Sequence, residues 1–214
     1  MNTIKQYWVA VLFVLFGFAL AAAYYKSLPS LIPVHWNQLG EANNWMPKGI
    51  SAFLLPLTSL CLSALLILLA PRASREPSHG SMYRIYPQVV AAFAALMAFS
   101  TFSLLNAALQ AGARPTSHRF VAIGIFVIFM GNFLGKTTRN GIFGIRTPWT
   151  LASDEIWLRT HRVGGPLFVF AGCATVMGGL IGHGRLVMNA SIISVAVVTV
   201  AYSYVLWRAS QRSI

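Results

Sequence analysis

Six long apolar segments, separated by short polar connections, are the feature that most constrains how this chain can fold. They run from about Trp8 to Tyr25, Ile50 to Ala70, Ile85 to Leu109, Phe120 to Gly135, Gly165 to Gly182 and Val187 to Trp207. A bilayer core of roughly 30 Å needs about 20 residues of helix. Lipid offers no hydrogen-bond partners to unpaired backbone groups, so spanning segments of this kind form helices. We therefore predict an all-α integral membrane protein with six transmembrane helices.

The composition agrees with a membrane protein and excludes several other classes. Hydrophobic residues make up 57% of the chain and charged residues only 9%, whereas soluble domains carry about 25% charged residues. A net charge of +12 would suggest nucleic acid as the partner of a soluble protein. Here we expect the lipid bilayer as partner and no direct contact with nucleic acid.

Cys61 and Cys173 lie inside apolar segments and indicate neither a disulfide framework nor a metal site. We expect no cofactor.

The distribution of Lys and Arg predicts the orientation, because cytoplasmic connections carry an excess of them. If the N-terminus is inside, eleven of the sixteen fall in cytoplasmic segments: Lys5, Arg72, Arg75, Arg84, Lys136, Arg139, Arg146, Arg159, Arg162, Arg208 and Arg212. The other five fall outside: Lys26, Lys48, Arg114, Arg119 and Arg185. This asymmetry favours both termini in the cytoplasm. One alternative stays open, since Lys5, the first apolar segment and Ala19-Leu20-Ala21 also resemble a cleavable signal peptide.

The connections divide the chain into two units. Residues 1–84 form a two-span unit with an outer Pro/Trp loop at 26–49, and residues 85–214 form a four-span unit with a basic cytoplasmic loop at 135–164. Proton pumps and coupled transporters place ionisable groups within their spans, whereas no Asp, Glu, Lys or Arg lies in the middle of any segment here. The uncharged spans therefore argue against ion-coupled transport.

The outer loop combines helix-breaking prolines with apolar side chains. Its prolines exclude a long helix, the segment from Asn37 to Gly40 has turn chemistry, and Ile32 lies between prolines. We predict a folded lip, such as a small hairpin, that either binds something outside the cell or lies in the headgroup layer. His35 and Glu41 would supply only two metal ligands, so we predict no metal site. The candidate binding residues are Pro29, Pro33, His35, Trp36, Asn37, Gly40, Trp45 and Lys48.

The second half of the inner loop is predicted to form a short helix between spans 4 and 5. Ser153 is a good N-cap, and two acidic residues follow it in the first turn. Trp157, Thr160 and His161 share one face, and Gly164-Gly165 is a plausible stop. A helix of this kind, with basic groups toward anionic lipid, is typical of the inner headgroup layer.

The segment from Arg146 to Thr150 has a proline-fixed turn that holds Arg, Thr and Trp side chains together. A helix that only lies on the membrane surface does not need such a turn, so this segment indicates a further role. Titratable residues are present, but no nucleophile and base are placed together. We predict that the protein is not an enzyme.

These two loops resemble those of a known family. The inner motif closely resembles the signature of the SdpI family, which are membrane immunity proteins named for protection against a secreted sporulation-delaying peptide toxin. Its residues here are Asn132, Lys136, Asn140, Gly144, Arg146, Thr147, Pro148, Trp149, Thr150, Trp157, Thr160, His161 and Arg162. The outer loop resembles the short domain of unknown function often found N-terminal to that signature. Gly135 departs from the pattern, where a proline is expected before Lys136.

The resemblance implies a multi-pass protein of the bacterial cytoplasmic (inner) membrane that gives resistance to a secreted antimicrobial peptide toxin by binding or neutralising it. Three functions stay open. The first is this immunity role, with a peptide toxin as partner on the outer side. The second is a signalling scaffold whose basic inner loop captures a soluble repressor protein on the cytoplasmic side. The third is a transporter of a hydrophobic or peptide substrate.

Overall fold

The structure is a computed structural model that describes residues 3–37, 41–73, 80–110 and 118–212. It is mostly helical, and a short antiparallel hairpin of strands β1 (Leu31–Trp36) and β2 (Ala42–Pro47) connects the first two helices. The helices are α1 (Trp8–Tyr24), α2 (Lys48–Ala73), α3 (Gly80–Leu109), α4 (His118–Leu134), α5 (Pro148–Ala152), α6 (Asp154–Leu180) and α7 (Gly184–Ser210). The hairpin confirms the folded lip and corrects the all-α prediction, because the prolines of this loop exclude a helix and leave extended backbone.

Five of these helices are long and apolar enough to cross a membrane: α1, α2, α3, α6 and α7. The fourth predicted span corresponds to α4, whose 17 residues rise about 25 Å. That length lies at the lower end of the range needed to cross a bilayer core. The described residues therefore contain five helices of clear spanning length, and the six-span count and the location of the termini stay predictions.

The chain divides into two compact units, residues 1–67 with 87–122 and residues 68–86 with 123–214. In the first unit the base of the hairpin packs on helices α1, α2 and α3. Ile32 and Leu28 are buried together with Ala52, Leu105 and Ala108. The hairpin therefore belongs to the core of this unit and is not a free linker. The boundary between residues 84 and 85, which the loops of the sequence suggested, stays a prediction.

In the second unit α4 and α6 approach each other through pairs of glycines. A Cβ atom on Gly124 would lie 2.7 Å from the carbonyl oxygen of Gly172, and one on Gly131 would lie 2.8 Å from that of Gly165. The two glycines are seven residues apart in each helix, so both pairs lie on one helix face. Small residues of this kind let helices pack backbone to backbone.

The predicted helix stop at Gly164-Gly165 is wrong. Helix α6 continues through both glycines and Pro166, so the predicted short helix and the fifth span are one element. Its predicted start is confirmed, because the Ser153 hydroxyl accepts a hydrogen bond from the Ile156 N–H at 3.3 Å. A Cβ atom on Gly164 would lie 2.7 Å from Cδ1 of Ile145. The glycines are present because neighbours lie too close for a side chain, and not because the helix ends.

Candidate functional site

The tip of the outer hairpin is closed by its own side chains. The Asn37 N–H donates to the Glu41 carbonyl at 2.9 Å, and the Asn37 side chain accepts from the Glu41 N–H and donates to its carboxylate, each at 2.9 Å. His35 Nδ1 lies 2.6 Å from the Asn43 side-chain oxygen. His35 and Glu41 thus have different partners, and no group of three metal-ligating side chains occurs among the described residues. Gly40 lies outside the described residues.

The base of the hairpin is braced by Lys48. Its ammonium group donates to the carbonyls of Tyr25 and Leu28 at 3.4 and 3.3 Å and lies 5.0 Å from the centre of the Tyr25 ring. Pro33 is buried and pairs with Trp45 across the two strands. Lys48 and Pro33 therefore build the hairpin and are poorly placed to meet a partner.

Apolar side chains remain exposed on this braced hairpin. Trp45 is 48% exposed and Leu31 is 54% exposed. Pro29 is also exposed, and Trp36 is half-buried. The candidate residues of the outer loop thus fall into two groups: those that stabilise the hairpin and those that are exposed on its surface. Leu31 belongs to the exposed group and was not predicted from the sequence.

The inner motif is centred on a buried stack of Trp157 and His161. Both side chains are 1% exposed or less, and their rings stack with centres 4.0 Å apart, one helical turn from each other on α6. The Trp157 indole N–H donates to the Thr137 carbonyl at 3.0 Å. Through this hydrogen bond the stack holds the first residues of the inner loop, which follow α4.

The hydrogen bonds of His161 define its protonation. The Ile145 N–H donates to Nε2 at 2.8 Å, so Nε2 carries a lone pair. Nδ1 then carries the proton and donates to the Trp157 carbonyl at 2.8 Å. The imidazole is thus neutral and fully used in holding the loop, which leaves it no role as a general base in this arrangement.

Gly144 fits between the loop backbone and this stack. Its φ is +131°, a region that L residues with side chains rarely adopt. A Cβ atom there would collide with His161 Nε2 and would lie 2.8 Å from the Trp157 ring. The motif therefore requires glycine at this position for both conformation and space.

Asn140 shapes the loop by local hydrogen bonds. The buried Asn140 side chain accepts from the N–H groups of Ile142 and Phe143 at 2.9 and 2.8 Å and donates to the carbonyls of Thr138 and Phe143 at 2.8 and 3.0 Å. One side chain thus satisfies four backbone groups. This is the local competition with regular secondary structure for which Asn is suited.

Helix α5 begins with a reciprocal cap made by two threonines. Thr147 Oγ1 accepts from the Thr150 N–H at 3.2 Å, and Thr150 Oγ1 accepts from the Thr147 N–H at 2.8 Å, with Pro148 in the first helical turn. The Thr150 hydroxyl also lies 2.8 Å from the Ile145 carbonyl. The sequence Thr-Pro-Trp-Thr is therefore explained as a fixed turn that begins a one-turn helix.

Trp149 joins this turn to α7. Its indole N–H donates to the Ser203 hydroxyl at 2.7 Å. Its ring packs edge-on to Tyr204 and stacks with Trp207, with ring centres 5.4 and 6.0 Å apart. Ser203 and Tyr204 were not predicted as site residues, because nothing in the sequence signals which face of a uniformly apolar helix will receive a loop.

Arg139 is another site residue that the sequence analysis missed. Its guanidinium donates to Asp154 Oδ1 and to the Leu151 carbonyl, both at 2.7 Å. It therefore connects the loop to the end of α5 and the start of α6. One turn further along α6, the Arg159 guanidinium donates to the Glu155 carboxylate at 3.3 Å.

The remaining motif residues face outward. Asn132 is exposed, and its side-chain amide donates to the Ile128 carbonyl of its own helix at 3.1 Å. Lys136, Arg146, Pro148 and Arg162 are exposed, whereas Thr160 is fully buried beside the stack. The structure thus brings most predicted inner residues together as a scaffold, and it leaves three cations of the motif at the surface.

Comparisons with known proteins match two separate regions of the chain. Residues 136–206 match the SdpI/YfhL protein family, and residues 12–60 match a domain of unknown function, DUF1648. The first region contains the inner loop, α5, α6 and most of α7, and the second contains most of α1 and the whole hairpin. No solved structure matches the chain.

One curated relative is named "Immunity protein SdpI" and comes from Bacillus subtilis (strain 168). It is 22% identical over 171 residues, which cover 78% of each chain. Together with the helices of spanning length, this similarity supports a multi-pass membrane protein with an immunity-protein relative. The predicted resemblance is thereby confirmed: residues 136–206 of this chain are similar to the SdpI/YfhL family, and residues 12–60 are similar to DUF1648.

Proposed function

We propose that this protein is an immunity protein of the bacterial cytoplasmic membrane that meets a secreted amphipathic peptide toxin at its outer hairpin. The curated relative supports the class of function. The observation that carries the toxin-facing part is a braced hairpin with Trp45 and Leu31 exposed at its surface. Contiguous exposed apolar residues on a folded element are typical of interaction sites.

The bracing favours binding, because a preorganised surface loses little conformational entropy when a partner is bound. Ile32 is buried in the core of its unit, and Lys48 holds the strand end to the carbonyls after α1. An amphipathic peptide that approaches the headgroup layer presents an apolar face. That face would find Trp45 and Leu31 already in place, and the peptide would be held before it inserts.

Six spans with both termini in the cytoplasm complete the proposal. This orientation places eleven basic residues inside and five outside, in line with the positive-inside tendency. It requires α4 to cross the membrane in spite of its 17 residues. The hairpin then lies outside and the inner motif lies in the cytoplasm.

The direct test is a deletion strain challenged with a panel of purified secreted antimicrobial peptides. We expect the deletion to sensitise cells to at least one peptide and the wild-type gene to restore resistance. Trp45→Ala should restore resistance poorly, whereas Trp8→Ala, an equally large change at an exposed tryptophan of α1, should restore it fully. Unchanged sensitivity of the deletion strain to every peptide would contradict the immunity role, and equal rescue by both variants would contradict the role of the hairpin.

The exposed cations of the inner motif favour a second function, a signalling scaffold that captures a soluble cytoplasmic regulator. Arg146 lies directly before the fixed Thr-Pro-Trp-Thr turn and is exposed, so its charge is presented from a rigid support. We expect Arg146→Ala to abolish capture in a pull-down from cytoplasmic extract, with unchanged thermal stability. Arg159→Ala, an exposed cation paired with Glu155, is the control. A pull-down that finds no partner dependent on Arg146 would exclude this function.

A further inference from the structure

An open apolar groove lies on α7 where Trp149 docks. It is lined by Trp149, Ala196, Val197, Val200, Ala201 and Tyr204 and has a volume of about 530 Å³. This volume falls within the roughly 300 to 1,000 Å³ typical of small-molecule sites. Its walls are almost entirely hydrocarbon, and it lies on a helix long enough to cross the membrane. The chemistry of this groove fits a hydrophobic occupant.

The groove continues toward a cation. Val197, Ala201, Tyr204 and Arg208 follow one another at spacings of four, three and four residues, which places them on one stripe of the helix. Arg208 is one turn beyond Tyr204, about 6 Å along the helix axis. The stripe thus runs from aliphatic side chains through an aromatic ring to a guanidinium. Aliphatic, aromatic and basic residues follow in the same order from the hydrocarbon core of a bilayer to its headgroups.

No acidic residue that the structure describes in the second unit pairs with Arg208. Its side chain is exposed, and the two acidic residues described in that unit, Asp154 and Glu155, pair with Arg139 and Arg159. An anion from outside the protein is therefore complementary to this end of the groove. Basic residues beside apolar surface at the headgroup level are how proteins select anionic lipids.

We propose that the groove binds an anionic phospholipid, with an acyl chain along the stripe from Val197 to Tyr204 and the headgroup phosphate at Arg208. Trp149 forms one wall, so the lipid also contacts the turn that begins α5. Occupancy of the groove then stabilises the docking of the inner motif on α7. This inference is independent of the immunity role, since it concerns the lipid environment of the fold.

The test uses the purified full-length protein in detergent, with phosphatidylglycerol, phosphatidylcholine or inorganic phosphate added. We expect phosphatidylglycerol to raise the melting temperature and to remain bound in native mass spectrometry, phosphatidylcholine to do so less, and phosphate to have no effect. Arg208→Gln should weaken phosphatidylglycerol binding about fivefold, the contribution of one basic residue near an anionic headgroup. Arg208→Lys should retain most of it, and Lys26→Gln is the matched loss of an exposed charge elsewhere.

A second pair of variants tests the acyl-chain part. Ala201→Phe fills the groove, while Ala190→Phe makes the same change at an exposed position of α7 outside the groove lining. We expect weaker lipid binding only for the first. Equal stabilisation by the two phospholipids, or equal binding by wild type and Arg208→Gln, would overturn the proposal and indicate unspecific lipid only. If Ala201→Phe does not fold, the difference in phosphatidylglycerol binding between Arg208→Gln and Arg208→Lys still tests the proposal.

Discussion

Gly144 is the residue at which the inner motif tolerates least change. Its φ of +131° and its contact with the rings of Trp157 and His161 both exclude a side chain. Asn140, Thr150 and His161 act through hydrogen bonds to the backbone of the loop. At the scale of single residues these positions describe how one loop folds, whereas the exposed cations of the motif are placed to bind a partner.

Substitution of Gly144 tests this interpretation. Gly144→Ala should destabilise the protein by about 1–3 kcal/mol, because it adds a strained conformation and a collision with His161. Gly141→Ala is the matched control, since a Cβ atom there meets nothing within 4 Å, and its effect should stay within about 0.5 kcal/mol. Thermal unfolding in detergent measures both. Similar melting temperatures for the two variants would show that the loop is not packed on the Trp157–His161 stack as described.

At the scale of elements the hairpin and the inner loop share a principle. Each is a connection between helices, and each is held by a few buried side chains. In the hairpin these are Ile32 and Leu28, packed with residues of α2 and α3. In the inner loop they are Thr150, Trp157 and His161. Connections fixed in this way present their exposed residues in one geometry, which is the physical basis of both proposed functions.

Neighbouring residues of β1 provide a test for the hairpin. Ile32 is 0% exposed and Leu31 is 54% exposed. We expect Ile32→Ala to cost about 2–5 kcal/mol, the usual penalty for a cavity in a core, and to make the hairpin sensitive to protease. Leu31→Ala should be nearly neutral for stability but should reduce resistance to the peptide toxin. A hairpin equally resistant to protease in both variants would show that it does not depend on the core of its unit.

At the scale of the whole molecule, the membrane topology depends on α4. If α4 crosses the bilayer, the hairpin and the inner motif lie on opposite sides, and if it does not, they lie on the same side. The close glycine contacts of α4 with α6, at Gly124 with Gly172 and at Gly131 with Gly165, favour a helix embedded beside a spanning neighbour. A 17-residue helix can then cross where packing, and not lipid, surrounds much of it.

Single cysteines distinguish the two topologies. In a background without Cys61 and Cys173, Asn43→Cys on the exposed hairpin and Gly141→Cys in the inner loop are labelled with a membrane-impermeant maleimide in intact cells. We expect Asn43→Cys to react at once and Gly141→Cys to react only after permeabilisation. Reaction of both in intact cells would refute the six-span topology and with it the cytoplasmic location of the motif.

The membrane class, the approximate position of each long helix, the start of α6 at Ser153 and the family resemblance could all be predicted from the residues alone. These follow from local properties, namely apolar length, proline and capping chemistry, and residue spacing. The packing of the folded chain was needed to learn that Gly164 and Gly165 continue a helix, that Trp149 docks on Ser203, and that His161 is a buried acceptor. Those outcomes depend on which distant backbone or side chain lies within a few ångströms, and a uniformly apolar helix carries no local signal of which face its neighbours will occupy.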